Sequence, residues 1–160
     1  MAINLTKVDP LVATNFFLEV SGETITNVTS VTGLKMELDI NEFAQRGTKG
    51  VLVQHKTLSK PKLAGEFTFK RIQPNTITTD PIWMWFLSIR NTGMKIKTGR
   101  TKPRRTGSIV GYDTGLTEVS RWNFTEAWPS KIEVDGFDVT KNDPIHETIT
   151  IQYESLVRVK

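Results

Sequence analysis

The chain has 160 residues, a formal net charge of +4 and an isoelectric point near 9.4. It contains no cysteine, which excludes thiol catalysis, cysteine-ligated zinc and any disulfide framework. Its length predicts one domain, residues 1–160, with a core large enough to fold without a metal ion or a cross-link.

The first residues do not have the features of a secretory signal. In MAINLTKVDP no basic segment precedes an apolar run, and no apolar stretch of the chain approaches the roughly 20 residues that span a bilayer. We therefore expect synthesis in the cytoplasm, release without a signal peptide, and no membrane insertion by the chain itself.

Alternation of apolar and polar residues is the main pattern along the chain, and it predicts a mostly β protein. Phe16, Leu18 and Val20 form the first run. From 34 to 40, apolar and polar residues alternate and predict a strand with one buried face. Further runs follow at 63–70, 108–112, 118–124 and 148–153.

One segment has helical rather than strand spacing. Asp80 and Pro81 provide an N-cap followed by proline at the first helical position, and Gly93 marks a C-terminal stop. Between them, apolar residues recur at helical intervals from 82 to 89. We predict a short helix that is apolar nearly all round, and that packs on more than one side within the chain or against a neighbouring subunit.

Two polar stretches are predicted to be irregular. Ala44–Gly50 and Gln54–Lys62 belong to a connection too long for a tight hairpin, and Met94–Gly107 forms a second, basic connection. Long connections of this kind usually have a function. The basic residues of the second connection are Lys95, Lys97, Arg100, Lys102, Arg104 and Arg105.

No combination of residues predicts catalysis. The two histidines, His55 and His146, are far apart in sequence, and neither has a second ligand at metal-binding spacing. The helical zinc motif HExxH, the P-loop and the nucleophile elbow are all missing from the sequence. We predict that the chain is not an enzyme and has no cofactor or metal site.

An ordered set of motifs runs through nearly the whole chain. Its members are DPL at 9–11, FFLEV at 16–20, VTGL at 31–34, DPIWMWF at 80–86, RWNFTEAWPSK at 121–131 and HETITIQYE at 146–154. In this order they resemble the tail tube protein family of contractile phages and of phage-tail-like, extracellular contractile injection systems. The resemblance implies a β-barrel or sandwich with one short helix, similar to the type VI tube protein, that joins a continuous ring barrel.

The resemblance also implies a function. The chain would be a structural subunit of an inner tube, in which homohexameric rings stack around a lumen for DNA or a cargo protein. Its implied partners are copies of itself, sheath subunits, the baseplate and tube-terminating proteins, within a virion or a phage-tail-like particle. The sequence leaves open whether that particle is a phage or an injection system, which cargo it holds, and which tube paralogue the chain is.

Subunit contacts are expected in two places. Three consecutive apolar residues within a connection are buried only if the connection lies on a neighbour. The contact residues expected there are Arg46, Gly47, Lys49, Gly50, Val51, Leu52 and Val53. The second place is Trp128, which precedes a proline expected to end the strand pairing, whereas Trp122 and Phe124 are expected in the core.

A second function remains open from the residues alone. The basic segment 95–105 would allow a β-barrel to bind nucleic acid through contacts with phosphates. Platforms for single strands also need surface aromatic residues among the basic ones, and this segment has none. The tube subunit is therefore the favoured interpretation.

Overall fold

A computed structural model describes residues 15–47, 49–93 and 103–160. These residues form ten strands and one helix. In chain order the elements are β1 Phe16–Val20, β2 Glu23–Ile25, β3 Val28–Thr32, β4 Glu37–Arg46, β5 Leu52–Lys62, β6 Gly65–Ile72, α1 Pro81–Thr92, β7 Arg105–Tyr112, β8 Glu118–Val134, β9 His146–Tyr153 and β10 Ser155–Arg158. The prediction of a mainly β protein with one short helix is confirmed over these ranges.

Strand β8 joins the two halves of the main sheet. The strand order is β2-β1-β7-β8-β9-β6-β3, with β10 as an additional neighbour of β8. The first part of β8 pairs with β7 and β10, whereas the part from Trp128 onward pairs with β9. Glu126 lies between these parts with a positive φ of 50°, and the pairing register shifts near it. Irregularities of this kind bend a strand, so that one strand serves both halves.

The two halves enclose the apolar core. Phe67 of β6 and Phe124 of β8 are in contact, with ring centroids 5.1 Å apart. Strand β9 directs Ile149 and Ile151 inward, because successive side chains of a strand point to opposite faces. The core position predicted for Phe124 is confirmed, whereas Trp122 is only partly buried at the margin of the core.

The described strands do not close into a barrel. Strands β2 and β3 lie at the two ends of the strand order, and neither has a second hydrogen-bonded neighbour within the described part of the chain. The architecture is thus an open sandwich, one of the two forms predicted. Unpaired N–H and C=O groups along such edges are a template for pairing with another chain.

Helix α1 begins and ends where the sequence predicts. The Asp80 carboxylate accepts a hydrogen bond from the Trp83 backbone N–H at 2.8 Å, and Pro81 occupies the first turn. Gly93 ends the helix with a φ of 66°, which glycine adopts at little cost. The helix buries Trp85 and packs against β2 and β8. No helix in the described ranges combines the length and apolarity needed to cross a membrane.

A buried group of charges fixes α1 on the sheet. Arg71 of β6 donates through Nε to Glu147 of β9 at 2.7 Å, and through Nη1 and Nη2 to the carboxylate oxygens of Asp80 at 2.8 and 2.7 Å. The Trp83 indole N–H donates to the other oxygen of Glu147 at 3.0 Å. Burial alone would lower the pKa of Arg71, but the hydrogen bonds and charges of Asp80 and Glu147 raise it above its ordinary value. The guanidinium therefore stays charged inside the protein.

Two strand predictions are wrong in detail. Pro129 does not end the pairing of β8, which continues to Val134 with a register shift just after the proline. A bulge is a place where a sheet tolerates the missing N–H of proline. The face of the 34–40 run that was predicted to be buried is also exposed at Leu38 and Ile40, because β4 belongs to a separate two-stranded sheet.

Candidate assembly surfaces

The separate sheet is a long hairpin formed by β4 and β5 alone. Its strand pairing runs from Glu37 opposite Lys62 at the base to Arg46 opposite Leu52 near the tip. Because a strand rises about 3.4 Å per residue, the ten residues of β4 extend roughly 30 Å. The Gly47 amide donates to the Val51 carbonyl at 2.9 Å and closes the tip. Within the described residues, no strand pairing joins this hairpin to the main sheet.

All the contact residues predicted from the sequence, except Trp128, gather at the hairpin tip. Arg46 ends β4, Leu52 and Val53 lie at the start of β5, and the turn between the strands contains Gly47, Lys49, Gly50 and Val51. The residues Val51, Leu52 and Val53 are 63, 60 and 42% exposed. The prediction that 54–62 is irregular is wrong, because these residues form most of β5. The isolated chain therefore holds three consecutive apolar residues in solvent at the end of a projecting hairpin.

The shaft of the hairpin also leaves apolar side chains uncovered. Ile40 pairs with Leu58, and both are exposed. On the opposite face, Phe43 stacks on His55 with ring centroids 5.4 Å apart. Such cross-strand pairs stabilise a hairpin, but they do not remove its apolar faces from water.

Trp128 lies near the base of the hairpin and not at its tip. It pairs with Gln152 of β9, and Gln152 lines the same recess as Glu37 at the start of β4. The Arg104 guanidinium lies 4.9 Å from the centroid of the half-buried indole, within the range of a cation–π contact. Arg104 also forms an ion pair with Glu154. The structure thus places Trp128 in a charged environment that is distinct from the apolar tip.

One exposed apolar site was not predicted from the sequence. It is the β8–β9 loop, residues 135–145, in which Phe137 and Val139 are 82 and 103% exposed. The turn holding them is built on Asp138, whose carboxylate accepts hydrogen bonds from the Thr140 hydroxyl at 2.7 Å and the Thr140 N–H at 3.0 Å. These bonds lower the pKa of Asp138 below its ordinary value. The available signal was the pair Phe137 and Val139 in a segment made mostly of charged and turn-forming residues.

The basic segment 95–105 is described only in part. Residues 95–102 lie outside the described residues, and Pro103 accepts a hydrogen bond from the Trp85 indole at 2.6 Å. The Arg105 guanidinium lies 5.1 Å from the Trp85 ring centroid, and burial lowers the pKa of Arg105 below its ordinary value. Arg104 and Arg105 are thus both engaged by their own chain. Nucleic-acid binding through this segment stays a prediction.

The two histidines lie in different sheets of the structure. His55 lies on the hairpin shaft, whereas His146 lies at the start of β9 in the main sheet. No group of histidine and carboxylate side chains in the described ranges is arranged to hold a metal ion. An open antiparallel sandwich with free edges, one docked helix and a projecting hairpin has surfaces suited to assembly with other subunits.

The sequence matches the family of the T4-like virus tail tube protein gp19 over residues 12–157. The chain therefore belongs to this family of tail tube proteins. Its members are structural proteins and not enzymes, in agreement with the prediction from the sequence. Comparison with curated protein sequences gives no match.

Solved structures of low sequence identity share the fold. One of them is a chain of the PVC sheath/tube terminator in its extended state, which comes from an extracellular contractile injection system. It has a TM-score of 0.74 at 20% identity, and the match covers 96% of this chain and 99% of that one. A chain of the PVC sheath–tube complex has a TM-score of 0.70 at 21% identity, covering 93 and 90%. Hcp1 from Flavobacterium johnsoniae has a TM-score of 0.52 at 16% identity, covering 91 and 94%.

Proposed function

We propose that this tail tube protein forms homohexameric rings that stack into the inner tube of a contractile tail or injection system, around a lumen for DNA or a cargo protein. The observation that carries the proposal is the β4–β5 hairpin. It extends roughly 30 Å and keeps apolar residues in solvent on both its shaft and its tip. Exposed apolar surface that recurs along a projection is typical of a protein–protein contact.

The free edges of the main sheet support ring formation. Strands β2 and β3 each offer an edge to a neighbouring subunit, and pairing across subunits would continue the sheet around the ring. A contact between two different edges is heterologous, and such contacts close into rings when the rotation between subunits permits it. We place Trp128 at the boundary between subunits, where aromatic residues are enriched.

The proposal extends to the partners of the tube. Sheath subunits, a baseplate and a tube-terminating protein would bind the assembled tube, because structures with this fold come from a sheath–tube complex, a baseplate and a terminator. The chain would then act within a virion or a phage-tail-like particle. It would not insert into a membrane itself.

The hairpin tip provides the test of the proposal. We expect the triple substitution Val51→Ser, Leu52→Ser and Val53→Ser to leave the subunit folded and to weaken assembly, because all three side chains lie outside the core. Circular dichroism measures the fold, and sedimentation measures rings and tubes. The matched control is Val157→Ser with Val159→Ser, which changes exposed valines away from the hairpin.

Two results would contradict the proposal. Unfolding of the triple variant would show that the tip supports the fold of the subunit and not its assembly. Native mass spectrometry that finds only monomers of the unmodified protein at micromolar concentration would contradict ring formation as such.

A further inference from the structure

The hairpin and the β8–β9 loop lie at opposite ends of the same pair of strands. The hairpin precedes Gly65, which pairs with Tyr153 at one end of the β6–β9 ladder. The β8–β9 loop precedes His146, which pairs with Ile72 at the other end. Each subunit therefore has one exposed apolar projection at each end of the strands that cross its core.

The two projections have opposite charges. From Arg46 to Lys56 the hairpin carries the basic residues Arg46, Lys49 and Lys56 and no acidic residue. From 135 to 145 the loop carries three aspartates and one lysine. Lys56 is paired with Glu42 at 2.6 Å and Asp135 with Lys70 at 2.9 Å. In the described part of the chain, Arg46, Lys49 and Asp143 form no ion pair with other residues of their own chain. Each end thus presents apolar groups together with charges of a single net sign.

The loop also borders a recess. A cavity of about 630 Å³ lies between the loop and the start of β9, and Phe137, Val139 and His146 are among its lining residues. The loop is held by its own bonds: Lys141 N–H donates to the Asp138 carbonyl at 3.2 Å, in addition to the Thr140 bonds. A loop held by such bonds loses little conformational entropy when a partner binds.

We propose that the hairpin tip of one subunit docks on the β8–β9 loop of a subunit in the adjacent ring. Leu52 and its apolar neighbours would pack against Phe137 and Val139, and Arg46 and Lys49 would face Asp138 and Asp143. The proposal rests on the tube function proposed above, and it names the surface that receives the tip. The occupant is a second copy of this chain, because the tip and the loop match in both apolar character and charge.

Such a contact gives the tube a direction. The tip and the loop are different surfaces, so the contact is heterologous and leaves a free tip at one end of the stack and a free loop at the other. A contact that does not close on itself also propagates without limit. The length of the tube must then be set by something other than this contact.

The absence of native cysteine allows the contact to be tested by cross-linking. Leu52→Cys and Val139→Cys are placed in the same chain, and the purified protein is oxidised under conditions in which sedimentation shows assembly. We expect a ladder of disulfide-linked multimers on denaturing gels, because each tip would join the loop of another chain. The control combines Leu52→Cys with Val159→Cys, which is also exposed but distant in the fold from the loop.

Each result decides the proposal. A ladder from the first pair and none from the control supports it. Normal tubes with cross-linking no greater than in the control would overturn the docking site while leaving the tube function intact. Failure of the unmodified protein to form rings or tubes would overturn the tube function and this inference together.

A second variant separates ring formation from stacking. We expect Phe137→Ser with Val139→Ser to form rings but to lose pelletable tubes, because both side chains are exposed and neither supports the core. The valine variant Val157→Ser with Val159→Ser again serves as the control. Tubes that pellet as in the unmodified protein would show that the loop takes no part in stacking.

Discussion

Removal of the buried arginine should destabilise the subunit more than any surface change. In the variant Arg71→Met, the carboxylates of Asp80 and Glu147 would remain buried without a cation. Breaking a buried ion pair by removing one partner costs about 3–5 kcal/mol. Each carboxylate would still accept one bond from Trp83, through its backbone or its indole N–H. We therefore expect a loss in the free energy of unfolding nearer to the lower end of that range.

Urea unfolding followed by tryptophan fluorescence measures this loss. The concentration must be low enough to prevent assembly, because assembly would stabilise the folded subunit by mass action. In thermal unfolding, the full range corresponds to a decrease in Tm of roughly 6–20 °C for a chain of this length. The matched control is Arg121→Met, which removes an arginine paired at 2.7 Å with Glu118 on the surface. Partly exposed pairs contribute about 0–1 kcal/mol.

A third variant separates the effect of charge from that of packing. Arg71→Met combined with Asp80→Asn and Glu147→Gln removes all three charges, and Asn still caps a helix. We expect this triple variant to be more stable than Arg71→Met alone. Equal losses for Arg71→Met and Arg121→Met would refute the reasoning, because burial would then make no difference to the cost of an unpaired carboxylate.

Three further predictions concern stability. Gly107→Ala should lower the free energy of unfolding in urea by about 1–3 kcal/mol, because a Cβ there would overlap the Glu19 carbonyl. An unchanged midpoint of unfolding would contradict this. Trp122→Ala should lower the free energy of unfolding by less than the about 3–5 kcal/mol expected for a fully buried indole, because Trp122 is partly exposed. A decrease of that full size would show that Trp122 belongs to the core. Burial raises the pKa of Tyr153 above its ordinary value of 10.0. The neutral phenol therefore contributes stability to the folded state below pH 10.0, and this contribution is lost as the pH rises through the higher pKa of the folded state. The Tyr112→Phe variant retains Tyr153 as its single tyrosine. Its tyrosinate absorbance should titrate at a pH above the ordinary pKa of tyrosine, and titration at the ordinary pKa would contradict the prediction.

Local signals were enough to predict helix α1. The cap at Asp80, the proline after it and the glycine at 93 each act on the backbone next to them, and the helix begins and ends accordingly. The same holds for β6 and β9, whose alternation reflects one face on the core. In these elements, the sequence pattern and the tertiary environment coincide.

The hairpin could not be predicted as well, because neither of its faces is buried in the chain. Strand β5 has almost no covered residue within the chain, and its sequence shows no period-two alternation. The polar stretch ending in Pro61 and Lys62 therefore had the composition of a loop. The apolar residues of β4 alternate correctly, but they face solvent in the isolated subunit and not the core.

The buried charges were missed although the sequence contained a signal for them. Arg71 continues the inward positions of Phe67 and Phe69, and Glu147 has the inward parity of Ile149. A charged residue at an inward position requires a partner, since an unpaired buried charge is too costly. Arg71 and Glu147 are 76 positions apart, however, so only the pairing of β6 with β9 reveals that they meet.

The β4–β5 hairpin receives no strand pairing from the main sheet in the described part of the chain. An isolated two-stranded hairpin is at best marginally stable in water. In the proposed tube, this segment would complete its folding on the surface of an arriving neighbour, and the entropy lost in ordering it would weaken each early contact. A subunit that docks out of register would then leave faster than one whose hairpin is fully engaged. The projection that is proposed to hold the stack together would thereby also favour the release of wrongly docked subunits.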